Sequence, residues 1–240
     1  MKKSIILVIM VVQIFVIYPC YGGIFDKILK TLGGSAQTTS NADSIVSALK
    51  EAIAIGTNNA VSSVSKVDGF FGNQSIKIPL PKKVEMLADG LKKIGYEKKV
   101  DDFVLSMNRA AEKAAPEAKS FFLDAVKEMS FDDAKGILNG GDTAASDYFK
   151  KKTTDQLYEV FKPIISSQMS DVGVTRYYQD MTSKLTSLPF MNLETLDLDH
   201  HVTNKALDGL FFMIGEEEKK IRSDPKARVT ELLKEVFGGK

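Results

Sequence analysis

Both histidines of the chain lie in one segment, DLDHHVTNKALDGLFFMIGEEEKKIR, which runs from residue 197 to residue 222. Imidazole and carboxylate groups bind zinc or iron, so His200 and His201 with the nearby acids raise the question of a metal site. Adjacent histidines on a helix point about 100° apart, however, and the chain has neither an HExxH motif nor a third histidine. We therefore predict no metal site and no cofactor. The segment is interpreted as a helix with one solvated face and with Asp199 as its N-cap.

Glu217 does not fit that solvated face. At about 100° per residue it falls on the apolar stripe of the same helix, one turn after Met213 and one turn before Ile221. An ionised carboxylate in that position has to be paired, protonated or beside a cavity. Two interpretations stay open. Glu217 either pairs with a neighbouring helix, with Arg109 or Asn108 as the candidate partner, or it binds a ligand or acts in catalysis.

A second polar group, Asn108, Arg109 and Glu112, lies in the sequence MNRAAEKAAPE. Asn108 and Glu112 are four residues apart at the margin of a stripe of small and apolar residues, and Arg109 lies farther toward the solvated face. These side chains either hydrogen-bond between helices or contact a ligand. With Glu217 they form our candidate ligand-binding set. No catalytic residue is assigned, and the chain contains no GxGxxG, GxxxxGK[ST] or GxSxG motif.

Capping residues and helix breakers divide the chain from residue 43 onward into helical segments. Ser130 and Asp133 have the spacing of a capping box, and Asp142 is predicted to cap the following helix and so to occupy its first amides. Other predicted helices cover Lys82–Ile94, Glu97–Ala114, Pro116–Met129 and Lys226–Phe237. We predict an all-α fold, a single domain of eight to ten helices. The alternating segments 75–81 and 188–199 add one short two-stranded ribbon if they pair.

The first 23 residues have the layout of a cleavable signal peptide, because Lys2 and Lys3 precede a short apolar run that ends in small residues. The predicted organisation is a signal peptide at 1–23, a short amphipathic start and flexible linker at 24–42, and the helical domain at 43–240. The expected location is the periplasm, with no stable transmembrane span after cleavage. Anchoring by an uncleaved N-terminal segment and lipid modification at Cys20 are the alternatives.

Charge and cysteine content exclude several classes of protein. Cys20 is the only cysteine, so cleavage after residue 22 or 23 leaves a mature chain without disulfides or thiolate chemistry. Removing Lys2 and Lys3 leaves 30 basic residues against 31 acidic ones. A nearly neutral chain lacks the basic excess that nucleic-acid binding needs, and we predict no nucleic-acid partner.

Four separated stretches together resemble the bacterial domain-of-unknown-function family 4197. They are VDGFFGNQSIKIPLP at 67–81, MNRAAEKAAPEAK at 107–119, DAKGILNGGDTAASDYF at 133–149 and KALDGLFFMIGEEEKKIRSDPKARVTELLKEVFG at 205–238. The resemblance implies an exported helical protein and implies no particular activity. At His201 the family pattern leads us to expect a tyrosine, which argues against a histidine-based site.

Adjacent phenylalanines supply the remaining clue to function. Phe70 and Phe71, Phe121 and Phe122, and Phe211 and Phe212 are neighbours on helical patterns, so the two members of a pair cannot face the same core. The second member either packs on another helix or lines an apolar cleft. Our leading prediction is a non-enzymatic protein that binds an apolar ligand, a lipid or an envelope partner. A carboxylate-based or metal-assisted enzyme and a purely structural envelope protein are the alternatives.

Overall fold

The computed structural model describes residues 41–171, 197–227 and 234, all of which belong to one compact unit, Thr39–Lys240. The described residues are mostly helical, with an irregular loop at residues 65–81, and contain no β-strand. In chain order the α-helices are α1 Asn41–Val64, α2 Lys82–Leu91, α3 Glu97–Ala114, α4 Ala118–Glu128, α5 Phe131–Asn139, α6 Ala144–Asp171 and α7 Leu198–Ser223. The predicted all-α fold is confirmed, while the predicted total of eight to ten helices counts the whole chain and stays a prediction.

Local chemistry sets several of these boundaries. The capping box before α5 is present in both directions, since Ser130 accepts from the backbone N–H of Asp133 and the Asp133 side chain accepts from the backbone N–H of Ser130. The helix α6 runs through Pro163 without a break. At α7 the N-cap is Asp197, which accepts from the backbone N–H of His200 at 2.9 Å. The prediction of Asp199 was wrong, because Leu198 is already helical and buries its side chain in the core.

Four helices form the centre of the domain. The long helix α6 packs against α3 and α7, and α7 packs in addition along α1. The ring of Phe122 lies 5.4 Å from that of Phe149 and 6.1 Å from that of Phe211, in both cases edge to face. These contacts join α4, α6 and α7 in one hydrophobic core.

The adjacent phenylalanines divide as their spacing requires. Phe70, Phe122 and Phe211 are buried, whereas Phe71 and Phe121 are half-buried and Phe212 is 45% exposed. The side chain of Phe71 lies under the ammonium group of Lys77, 4.1 Å from the ring centroid. One member of each pair is therefore buried in the core, and of the second members Phe121 packs against the edge of that core.

The loop between α1 and α2 covers one end of α3. Residues 75–81, one half of the predicted ribbon, contain no strand and begin in a turn, where the N–H of Ile76 donates to the carbonyl of Asn73. Ile76 and Ile78 are buried there. The other predicted half, 188–199, lies outside the described residues up to position 196, so the pairing of the two segments stays a prediction. The last predicted helix, Lys226–Phe237, also lies mostly outside them, beyond a single 3₁₀ turn at Pro225–Ala227.

Candidate functional site

Glu112 is a buried carboxylate that ties the α1–α2 loop to α3. Its Oε1 accepts from the backbone N–H groups of Phe70 and Phe71 at 3.1 and 3.2 Å, and its Oε2 accepts from Arg109 at 2.6 Å. Arg109 also pairs with Asp68 of the loop at 2.7 Å. The hydrogen bond to Glu112, with a smaller contribution from Asp68, raises the pKa of Arg109 despite its partial burial. The carboxylate is thus fully engaged by the protein itself.

Asn108 holds the next part of the same loop. Its side chain is completely buried, its Oδ1 accepts from the N–H of Ile78 at 2.8 Å, and its Nδ2 donates to the carbonyls of Ile78 at 3.0 Å and Val104 at 2.8 Å. The structure therefore brings Asn108, Arg109 and Glu112 together, as the sequence suggested. These three side chains hold the α1–α2 loop against α3. A ligand contact by these residues stays a prediction.

Glu217 lies elsewhere, against α1. Its carboxylate accepts from Lys220 at 2.6 Å and from the amide of Asn59 at 3.4 Å, and its side chain is 16% exposed. Glu217 is paired, as one of the two interpretations expected. Its partners are Lys220 and Asn59, so the prediction of Arg109 or Asn108 as the partner was wrong. A helical wheel gives the face on which Glu217 lies and not the helix that this face meets. The face that carries Glu217 meets α1 near Asn59. Arg109 and Asn108 instead bind residues of the α1–α2 loop.

Glu218 is the buried acid that the sequence did not reveal. It accepts from the backbone N–H groups of Ala145 and Ser146 at 3.0 Å each and from Arg222, whose Nε and Nη2 lie 3.0 and 2.8 Å away. The side chain is 9% exposed. Its negative charge lies at the N-terminus of α6, where the exposed amides and the helix dipole favour an anion.

The first amides of α6 were assigned to Asp142, and that prediction was wrong. A carboxylate from α7 takes them, because α7 crosses the start of α6 and brings Glu218 within hydrogen-bonding distance. The i,i+4 spacing of Glu218 and Arg222 was the available sequence signal. That spacing is typical of exposed helix faces, so it did not indicate burial. Arg222 also donates to the carbonyl of Ile137 at the end of α5 at 2.7 Å, which joins three helices.

Beside this ion pair lies an apolar pocket between α1, α5, α6 and α7. It is small, with a cavity volume of about 30 Å³, and it is partly open to solvent. Its polar lining groups are engaged by the protein, since Glu218 and Arg222 bind each other and the hydroxyl of Thr57 donates to the carbonyl of Ile53. The apolar wall includes Leu49, Ala52, Ile53, Phe149, Ile214 and Ile221. The pocket wall is thus mainly apolar, and its carboxylate, Glu218, is already bonded to Arg222.

The histidines join structural elements. A ring nitrogen of His201 lies 3.0 Å from the carbonyl oxygen of Pro79, and Nδ1 of His200 lies 2.7 Å from the hydroxyl of Tyr158. Within the described ranges no three His, Cys, Asp or Glu side chains lie close enough to hold a metal ion. The two histidines therefore attach α7 to the loop and to α6.

Comparison with protein families gives one decisive match. Residues 39–238 match the family model described as Protein of unknown function (DUF4197). The chain belongs to this family. In this DUF4197 protein, two of the recognised stretches are bound to each other, because Asn108 and Glu112 of the second stretch hold Ile78 and Phe70 of the first. No curated protein and no solved structure matches the chain.

Among the residues that the structure describes, no helix combines the length and the apolar character needed to cross a bilayer.

Proposed function

We propose that this protein is a non-enzymatic binding protein whose pocket between α1, α5, α6 and α7 holds a small apolar group, such as the end of a hydrocarbon chain. The observation that carries the proposal is the pocket itself, with an apolar wall and with its few polar groups bonded to each other or to the backbone. Such a lining favours hydrocarbon, because a polar ligand would lose water there without gaining a partner.

The state of the buried acids supports binding over catalysis. General acid–base chemistry needs a carboxylate that can reach the reacting proton. Glu112 accepts two backbone N–H groups and an arginine, and Glu218 does the same at the pocket wall. Only Glu218 among the described acids lines the pocket, so the arrangement offers no pair of acids for an acid–base mechanism.

We also propose that the protein works in the periplasm after removal of residues 1–23. Support comes from Lys2 and Lys3 ahead of the short apolar run, which is the pattern of a signal peptide. N-terminal sequencing of the protein from its own cells tests this. The expected product begins near Gly23, and a product that keeps Met1 in a membrane fraction would contradict the proposal.

The pocket is tested by filling it. Ala52 is 2% exposed and lines the pocket, so Ala52→Leu should occupy the space that a ligand would take. We expect this variant to lose binding of N-phenyl-1-naphthylamine, a neutral apolar fluorophore, and to lose any small molecule seen by native mass spectrometry in the wild type. Its melting temperature should be unchanged or higher, because the substitution fills empty space without forcing side chains apart.

The control is Val67→Ser, which changes an apolar side chain that is 77% exposed and lies outside the pocket. It should bind the fluorophore as the wild type does. If Ala52→Leu lowers the melting temperature by several degrees, the smaller Ala52→Val replaces it in the same assay. Fluorophore binding that survives in a folded pocket-filling variant, or that disappears in Val67→Ser, places the binding elsewhere and overturns the proposal.

A further inference from the structure

The last two turns of α7 form one wall of the apolar pocket. We call residues 216–223, EEEKKIRS, the latch. Its side chains Glu218, Ile221 and Arg222 line the pocket. In the preceding part of α7, ten of 18 residues are buried, whereas in the latch, which the structure describes completely, Ile221 is the one buried residue. The latch thus contributes far less than the rest of α7 to the hydrophobic core.

Polar contacts attach the latch to the other three helices of the pocket. Glu218 accepts from the first amides of α6, and Arg222 donates to the carbonyl of Ile137 in α5. On the side of α1, Glu217 accepts from the amide of Asn59 at 3.4 Å. The ion pair between Glu218 and Arg222 lies within the latch and moves with it. When the contacts to the other helices open, water can form the same hydrogen bonds, so moving the latch exposes groups that are readily hydrated.

The closed pocket is too small for most of a hydrocarbon chain. Its cavity volume is about 30 Å³, and a single water-sized group needs about 10 to 15 Å³. The space therefore accepts about two methyl-sized groups, and a longer segment enters only if a wall moves. The walls from α1, α5 and α6 are joined through buried core side chains such as Leu49, Ile137 and Phe149. Moving the latch uncovers one buried apolar side chain of its own, Ile221, so the latch is the wall whose movement exposes the least apolar surface.

We propose that the latch moves away from α1, α5 and α6 to admit a hydrocarbon chain, and that Glu218 closes it by rebinding the amides of Ala145 and Ser146. The proposal rests on the function proposed for the pocket and adds how its ligand enters. Both amides belong to the first turn of α6, where backbone N–H groups have no carbonyl partner within the helix, and both donate to Glu218 at 3.0 Å. Opening of the latch therefore frees these two N–H groups while α6 stays folded.

Hydrogen exchange in the ligand-free protein measures this opening independently of any ligand. We expect the amides of Ala145 and Ser146 to exchange at least about tenfold faster than that of Asp147, after correction for their intrinsic rates. Asp147 is the matched control, because its N–H donates to the carbonyl of Thr143 at 2.9 Å and stays bonded when the latch opens. Equal exchange of all three amides would mean that the first turn of α6 frays, which would overturn the proposal.

A reversible disulfide tests whether the opening admits the ligand. A Cβ at Gly56 of α1 would lie 3.7 Å from Cβ of Glu217, a separation typical of disulfide-bonded cysteines. The pair Gly56→Cys, Glu217→Cys is introduced together with Cys20→Ser, which removes the natural cysteine. We expect the oxidised form to bind N-phenyl-1-naphthylamine at least about tenfold more slowly than the reduced form. The reduced form is the matched control, since it has the same side chains in the pocket.

Equal binding rates of the oxidised and reduced forms would overturn the proposal and leave the proposed function intact. If the new thiols alone prevent binding, Glu218→Gln replaces the pair. It weakens the bonds to the two amides, so the fluorophore should bind faster than in the wild type, and an unchanged rate contradicts the latch. A wild type that binds no fluorophore contradicts the proposed function, and the exchange of Ala145 and Ser146 then still decides whether the latch opens. A failure of one proposal can therefore be told from a failure of the other.

Discussion

The side-chain amide of Asn108 pairs with both backbone groups of Ile78, accepting from its N–H at 2.8 Å and donating to its carbonyl at 3.0 Å. A neighbouring β-strand would offer the same two hydrogen bonds. Both backbone groups of Ile78 in the α1–α2 loop are therefore bonded by one helix side chain. The alternating apolar residues Ile76, Ile78 and Leu80 can therefore pack against the helices although the described residues contain no β-strand.

The first prediction concerns this pairing. Asn108→Leu keeps the approximate volume of the side chain but leaves the buried N–H and carbonyl of Ile78 without a partner. We expect the free energy of unfolding to fall by about 2 to 3 kcal/mol in urea titrations. Lys113→Ala on the same helix removes an exposed side chain and should change it by less than about 0.5 kcal/mol. A loss for Asn108→Leu no larger than that of the control would mean that the pairing contributes little.

The second prediction contrasts two adjacent glutamates. Glu218→Ala leaves Arg222 and two N–H groups of α6 without their carboxylate in a nearly buried position, so we expect a loss of about 3 kcal/mol or more. Glu217→Ala removes an ion pair with Lys220, whose side chain is 57% exposed, and should cost about 1 kcal/mol or less. Thermal and urea denaturation of both variants gives the comparison. Equal losses would show that the difference in burial does not govern stability here.

The third prediction uses two helix glycines. A Cβ at Gly209 of α7 would lie 2.7 Å from Cε1 of Phe70 and 3.1 Å from Cβ of Ile76, both of which belong to the buried part of the α1–α2 loop. Gly209→Ala should therefore destabilise the domain by about 1 to 3 kcal/mol. Gly136→Ala in α5 meets no atom within 4 Å and should stabilise it by about 0.5 to 1 kcal/mol, through helix propensity. Melting temperatures that move in the same direction would contradict the packing described for Gly209.

The fourth prediction concerns acid stability at the start of α7. The hydrogen bond from the backbone N–H of His200 lowers the pKa of Asp197, and Lys162 adds to this effect. Because the folded-state pKa lies below the unfolded one, the ionised group stabilises the fold above the ordinary aspartate pKa of about 3.9. This contribution disappears as the pH falls through the folded-state pKa.

Asp197→Asn keeps a side chain that can cap the helix and removes the titration. Its melting temperature should be below that of the wild type at neutral pH, and the difference should shrink as the pH falls below about 3.9. A difference that stays constant over the whole pH range would show that the charge of Asp197 does not contribute.

Local sequence signals predicted much of the fold because the interactions that end helices involve residues close in the chain. The capping box at Ser130 and Asp133 and the helix Glu97–Ala114 were predicted correctly for this reason. The site depended on contacts between distant residues. The wheel placed Glu217 on the apolar stripe, yet Glu218, the next residue, has the more buried side chain of the two. Which helix lies above each face is a property of the tertiary fold, and the residue pattern of one helix does not reveal it.

The packing of α1 along α7 has a consequence for the newly made chain. Asn59 and Glu217, which are in contact, are 158 residues apart, and Gly56 lies against Ile221 in the same interface. At synthesis rates of about 5 to 20 residues per second, the ribosome needs roughly 8 to 30 s to add the residues between them. Throughout that interval the apolar face of α1 lacks its native cover. A nascent chain that stops before Ile221 should therefore remain sensitive to protease and bind chaperones, and resistance should appear only once the end of α7 has left the exit tunnel.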